Sequence, residues 1–196
     1  MLYGAPTPQR RDAQRNRSAI VRAASELMLS RRSAVLTPEI ARRAGVGHAT
    51  LYRHFRDRRA LVAAVVADQL ERLESYVAAN AERPAAFRHL LGEVLRTQVA
   101  MRPLVQLIGG GGGRGDRETR RRYTHRVVAT LAAPLRRAQA DGQVRPDLSP
   151  DDLALLFAML SGAVEAAEHA VTPAATAAER AITLLLDAVL GPPATS

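Results

Sequence analysis

Thr37 to Phe55 reads TPEIARRAGVGHATLYRHF. Thr37-Pro38-Glu39 is a helix start: the Thr hydroxyl can cap an N–H, Pro lacks the N–H that would go unpaired, and Glu suits the positive end of the helix dipole. Gly45 ends that helix after two turns, because the chain must turn sharply there and a positive φ costs a glycine least. A second short helix is expected over about 47–55. Ile40 and Ala44 on the first helix, with Val46 and Leu51 beyond the turn, can bury together, and small Ala41 lets the second helix approach closely. His48, Ala49, Thr50, Tyr52, Arg53 and His54 are left outside, a face of hydrogen-bonding groups sized for a major groove. Helical pairs joined by glycine also occur in bundles that bind no nucleic acid, so the charge around this one matters.

That charge is lopsided. The chain has 196 residues and a formal charge of +9. Residues 1–60 hold 13 Arg against Asp12, Glu26, Glu39 and Asp57, which is 13 − 4 = +9, and residues 61–196 hold 15 Arg against 15 acids. An arginine-rich end beside a neutral remainder fits a polyanion-binding head, with nucleic acid ahead of an anionic membrane surface. Every basic residue is Arg and none is Lys, a bias that fits codon usage better than a demand for bidentate contacts.

Composition sets the fold class. An apolar share of 47% with only 4% aromatic residues means a core of Ala, Leu and Val, which favours packed helices over strands. The expected fold is all-α. Absence of cysteine excludes a disulfide scaffold, a thiolate zinc site and a cysteine nucleophile. MLYGAPTPQRRD has no apolar core of a signal peptide, and no apolar run approaches the roughly 20 residues of a membrane span, so a cytoplasmic protein with no membrane partner is expected.

Outward from the central motif, residues 1–10 read as a disordered arm and 12–31 as an amphipathic helix carrying Ile20, Ala24, Leu27 and Met28 on one face, with Arg15, Arg17 and Arg22 largely on the other. A longer helix opens at Asp57. Pro84 starts another, which Pro103 should interrupt, and Gly109 to Gly115 is a flexible loop. A helix from Asp116 should bend at Pro134 and end near Gly142, and Ser149-Pro150-Asp151 and Thr172-Pro173 open the last two, over about 150–171 and 173–190. The domains expected are an arm at 1–10, a helix-turn-helix head at 11–60 and a helical remainder at 61–196.

Thr37, Ile40, Ala41, Ala44, Gly45, Val46, Thr50, Leu51, Tyr52, His54, Phe55, Arg58 and Leu61 stand in a pattern that resembles the DNA-binding signature of the TetR family of bacterial transcriptional regulators. Gly47 replaces the usual Ser, Ala49 the usual Gly, and Arg56 and Arg59 a frequent Pro and acid. The resemblance implies a three-helix head joined to a C-terminal ligand-binding and dimerisation bundle, with double-stranded DNA as partner. It implies phosphate contacts from Thr37, Tyr52, His54 and Arg58. His48, Ala49, Thr50 and Arg53, on a helix opened by Gly47, are the candidates for base edges, while Phe55 is expected in the core.

The remainder carries no catalytic constellation. Gly110, Gly112 and Gly115 match a dinucleotide fingerprint only in spacing, since no strand precedes them. Glu165, Glu168 and His169, with His125, could in principle hold a metal, but a polar patch is the reading preferred, so no metal, cofactor or enzymatic activity is expected. The last two helices are apolar almost all round, which requires burial on more than one side, most simply against a second copy. Ala163, Ala166, Ala170, Ile182, Leu185 and Val189 are the candidate dimer contacts, and the family resemblance likewise implies pairing through these helices. It also implies a small-molecule cavity, with Arg96, Gln98, Met101, Gln106, Tyr123 and Phe157 as candidates. The function expected is a repressor released from a palindromic operator by an apolar or amphipathic ligand; a ligand-independent regulator or architectural protein is the alternative.

Overall fold

A computed structural model describes residues 8–30, 35–108, 114–167 and 174–190, and among these the chain is helical without a strand. The helices are α1 (Pro8–Ser30), α2 (Thr37–Ala44), α3 (His48–His54), α4 (Arg58–Asn80), α5 (Ala86–Ile108), α6 (Arg114–Ala140), α7 (Pro150–Ala167) and α8 (Ala174–Leu190). Two compact units divide inside α4, at Met1–Gln69 and Leu70–Ser196. The division falls past the expected 60/61 because Leu61, Val62, Val65 and Val66 are all buried in the first turns of α4, and Gln69 donates to the Ser25 hydroxyl of α1 at 2.8 Å.

In the first unit α1 packs on α2 and α3. Ile20, Ile40, Leu51 and Phe55 are each at most 2% exposed, and burial of such side chains contributes about 1.5–3 kcal/mol apiece. Helix α1 begins at Pro8, so the last three residues of the expected arm are helical, while residues 1–7 lie outside the described ones. The start of α2 differs from expectation by one residue. Leu36 is the N-cap, its carbonyl taking the N–H groups of Glu39 and Ile40 at 3.1 and 3.3 Å, and no side-chain cap bond forms, so Thr37 sits inside the first turn. The C-terminus of α2 is as expected: Gly45 adopts φ 68°, its N–H meets the Arg42 carbonyl at 3.2 Å, and the Val46 N–H meets that of Ala41 at 3.1 Å. A Cβ at Gly45 would meet nothing within 4 Å, so the backbone angle alone demands glycine. Gly45→Ala is therefore expected to destabilise the head by about 1–2 kcal/mol, read from denaturant melting, and an unchanged midpoint would remove that demand.

In the second unit α5 packs on α6, α7 and α8, while α7 packs on α6 and α8. Leu90, Leu91, Val94, Leu131, Leu153 and Leu160 form its centre. Helix α5 starts at Ala86 rather than Pro84, after a turn in which Ala85 has φ 54°, and it runs through Pro103 without interruption. Burial of Met101, Leu104 and Ile108 on either side of the proline outweighs one lost backbone bond, and Pro103 itself is exposed. Helix α6 likewise continues through Pro134 and closes near Gly142, which takes φ 69°. It begins at Arg114, ahead of the expected Asp116; residues 109–113 of the glycine run lie outside the described residues. Helix α7 has the side-chain cap that α2 lacks. Ser149 Oγ accepts the Asp152 N–H at 3.2 Å, and the Asp152 carboxylate accepts the Ser149 N–H at 2.8 Å, which together with the Ser149 hydroxyl holds Asp152 below the usual carboxyl range. No helix among the described residues is long and apolar enough to cross a membrane.

Candidate nucleic-acid interface

Helix α3 buries one residue, Leu51, and turns the rest outward. Gly47 is its N-cap, offering a carbonyl to the Thr50 and Leu51 N–H groups at 2.9 and 3.1 Å but no side-chain oxygen. His48, Ala49, Tyr52 and Arg53 are exposed, and Thr50 and His54 are half-buried. These side chains are ordered against each other. His48 meets Tyr52 edge to face with ring centroids 4.9 Å apart, and Arg53 donates to the Thr50 hydroxyl at 2.8 Å. Thr37, half-buried, belongs to the first turn of α2.

Several arginines hold the head together before any ligand arrives. The Arg17 guanidinium lies 4.5 Å from the centroid of buried Phe55 and donates to the His54 carbonyl at 3.5 Å. It therefore places a cation at the negative end of α3. Helical periodicity puts Arg17 on the solvent side of α1, and only the tertiary contact reveals this role. Arg58 donates to the Val35 carbonyl and so anchors the segment that leads into α2. Arg43 of α2 takes both Nε and Nη2 to Glu26 of α1, at 3.1 and 2.8 Å. With both side chains largely exposed, that pair contributes at most about 1 kcal/mol and serves mainly to fix α2 on α1.

The expected ligand residues in the second unit separate into two groups. Tyr123, Met101 and Phe157 are buried, and half-buried Gln98 donates to the Tyr123 hydroxyl at 3.3 Å. Burial pushes the Tyr123 phenol up to about 12, against the smaller opposing effect of Gln98. Arg96 and Gln106 are exposed, and Arg96 pairs with Glu93 at 2.9 Å and Glu179 at 3.3 Å. The expected dimer residues also diverge. Ala163 and Ala166 are exposed and Leu185 and Val189 half-buried, but Ile182 is 1% exposed and packs inside its own subunit. Ile182 is thus no surface contact: on a helix that is apolar all round, sequence cannot say which side faces the chain's own core. Exposed instead are Leu155, Met159 and Leu184, at 61, 55 and 51%. Ala170, Glu168 and His169 lie outside the described residues, and Glu165 reaches Arg102 at 3.4 Å.

A helix-turn-helix with a polar outward second helix, followed by a separate helical bundle, is the build of a DNA-binding regulator. Residues 20–65 match the family described as bacterial regulatory proteins, tetR family, and residues 82–189, more than half of the chain, match the transcriptional regulator SbtR-like C-terminal domain. A TetR transcription regulatory protein from Mycobacterium vanbaalenii is 27% identical, with 93% of this chain and 99% of that one covered and a TM-score of 0.67. The TetR transcriptional regulator SCO0520 from Streptomyces coelicolor is 28% identical, with 91% and 99% covered and a TM-score of 0.63. The reduced form of E. coli NemR, at 15% identity with 90% and 99% covered and a TM-score of 0.60, shares the fold. No curated protein sequence matches the chain. The chain belongs to the TetR family of bacterial transcriptional regulators, whose members bind DNA and are not enzymes.

Proposed function

We propose that the chain is a homodimeric repressor that grips a palindromic operator in the cytoplasm and releases it when a small apolar or amphipathic ligand enters its bundle. The outward face of α3 carries this reading. On it His48, Ala49, Thr50 and Arg53 meet base edges, while Tyr52 and His54, with Thr37 and Arg58 from the flanking elements, meet phosphates. The His48–Tyr52 and Arg53–Thr50 contacts set those groups before DNA arrives, which lowers the entropy lost on binding. Gly47, lacking a side chain, lets the phosphate backbone approach the first turn of α3.

Dimerisation through α7 and α8 is supported by Leu155, Met159 and Leu184, large apolar side chains in water, beside small Ala163 and Ala166 that permit close approach. Ligand response is supported by a set of four residues in the second unit, half-buried Gln98 donating to the buried Tyr123 hydroxyl, with Met101 and Phe157 as buried apolar side chains. Arg96 and Gln106 do not belong to that set. Selecting bound sequences from a random DNA pool tests the core of the reading. A two-fold palindrome is expected, with half-sites about one helical turn or a multiple apart; enrichment of an asymmetric site, or of none, would overturn it.

A further inference from the structure

Helix α3 is seven residues long, too short to be stable by itself, since isolated helices below about 12–15 residues are marginal in water. Its placement therefore comes from what holds it to α1 and α2, and the anchors are few. Leu51 is the one residue of α3 that is buried, and Gly47 caps the N-terminus with a carbonyl alone. At the other end the chain leaves in an extended conformation at Phe55, with φ −135° and ψ 105°, and the ring enters the core, where it is 2% exposed. Arg17 of α1 closes that end. Its guanidinium lies over the Phe55 ring, 4.5 Å from the centroid, and Nη1 donates to the His54 carbonyl at 3.5 Å. A planar fork can do both at once, with its face towards the ring, an edge N–H on the carbonyl and its charge at the negative end of the helix dipole. Other arginines of the head are engaged differently: Arg15 pairs with Asp12 within α1, and Arg43 of α2 with Glu26 of α1.

We infer that Arg17 is a positioning residue for base recognition: acting through Phe55 and the His54 carbonyl, it sets the angle at which α3 presents His48, Ala49, Thr50 and Arg53. The lever is sensitive. Seven residues at about 1.5 Å apiece span about 10 Å, so a tilt of about 10° moves one end by about 1.7 Å. Recognition groups must be held to within about 0.5 Å of their working geometry, so such a tilt breaks contacts to base edges. Attraction to phosphates survives it, because that attraction is electrostatic and independent of sequence. Loss of Arg17 should therefore cost discrimination between sequences and spare general attraction to DNA. The inference rests on the reading of α3 as the base-reading helix, and adds to it a residue of α1 that need touch no base.

The test uses the full chain and two variants. Arg17→Gln removes the charge and the fork, whereas Phe55→Leu removes the ring and keeps every charge of the head. Circular dichroism melting sets a temperature at which both are folded. In the free protein, hydrogen exchange of the α3 amides is expected to quicken about tenfold in Arg17→Gln while the amides of α1 and α2 keep their rates. Equal quickening across the head, or none in α3, would overturn the inference. Anisotropy then compares the duplex that the wild type selects from a random pool with a scrambled duplex of the same length. Both variants are expected to lose about tenfold or more on the selected duplex and less than about twofold on the scrambled one, with the salt slope of the wild type. Equal losses on the two duplexes, with a slope shallower by about 0.9 per subunit in Arg17→Gln alone, would mark a phosphate contact and overturn the inference. A wild type that prefers neither duplex would overturn the operator reading, while the exchange rates still decide whether Arg17 anchors α3.

Discussion

Raising the salt from about 50 to about 200 mM is expected to weaken operator binding by about a thousandfold or more, with a log–log slope of about −5 to −10 for the dimer. Each cation that replaces a counterion on a phosphate contributes about −0.9 to that slope, so the slope counts contacts. Thirteen arginines in the first sixty residues would permit a steeper value than this. The structure explains the restraint. Arg17 is held on Phe55 and the His54 carbonyl and Arg43 on Glu26, so part of the positive charge is built into the head. Arg11, Arg22, Arg42 and Arg56 are exposed and add to the field around α3. Fluorescence anisotropy across a salt series reads the slope directly, and a flat dependence would overturn phosphate binding by the head.

The same arginines show where sequence stops being informative. The head was legible because its signals are local: the left-handed demand at Gly45, the burial of Ile40 and Leu51, and the outward residues of α3 all follow from neighbours within a few positions. Arg17 acts 37 residues away from His54, and periodicity could only place it on the wet side of α1. Proline misled for a related reason. One missing backbone bond at Pro103 is a local loss, while burial of Met101 and Leu104 against other helices is a tertiary gain, and the gain prevails. Capping shows both outcomes, since Ser149 makes the side-chain bonds its sequence promises and Thr37, with the same following proline, is displaced by Leu36.

Met159→Asp or Ala166→Arg is expected to convert the dimer into a helical monomer whose operator affinity falls about a thousandfold or more, towards the non-specific range. Two recognition helices must reach successive major grooves about 34 Å apart, so one head alone forfeits half the contacts and all of the symmetry. An isologous interface doubles every substitution, placing the new charge at two points of an apolar seam, and each costs several kcal/mol of association unless it reaches water. Both positions are exposed in the single chain, Met159 at 55%, so neither substitution disturbs the subunit's own core, whereas one at Ile182 would do so. The head should remain folded, since its core residues Ile20, Ile40, Leu51, Phe55 and Leu61 are buried and belong to a compact unit of their own, Met1–Gln69. Sedimentation reports the mass and circular dichroism the helicity, which separates loss of pairing from loss of fold. A variant that stays dimeric and binds operator normally would move the interface away from the Leu155, Met159 and Leu184 surface and leave those side chains without a partner to explain their exposure.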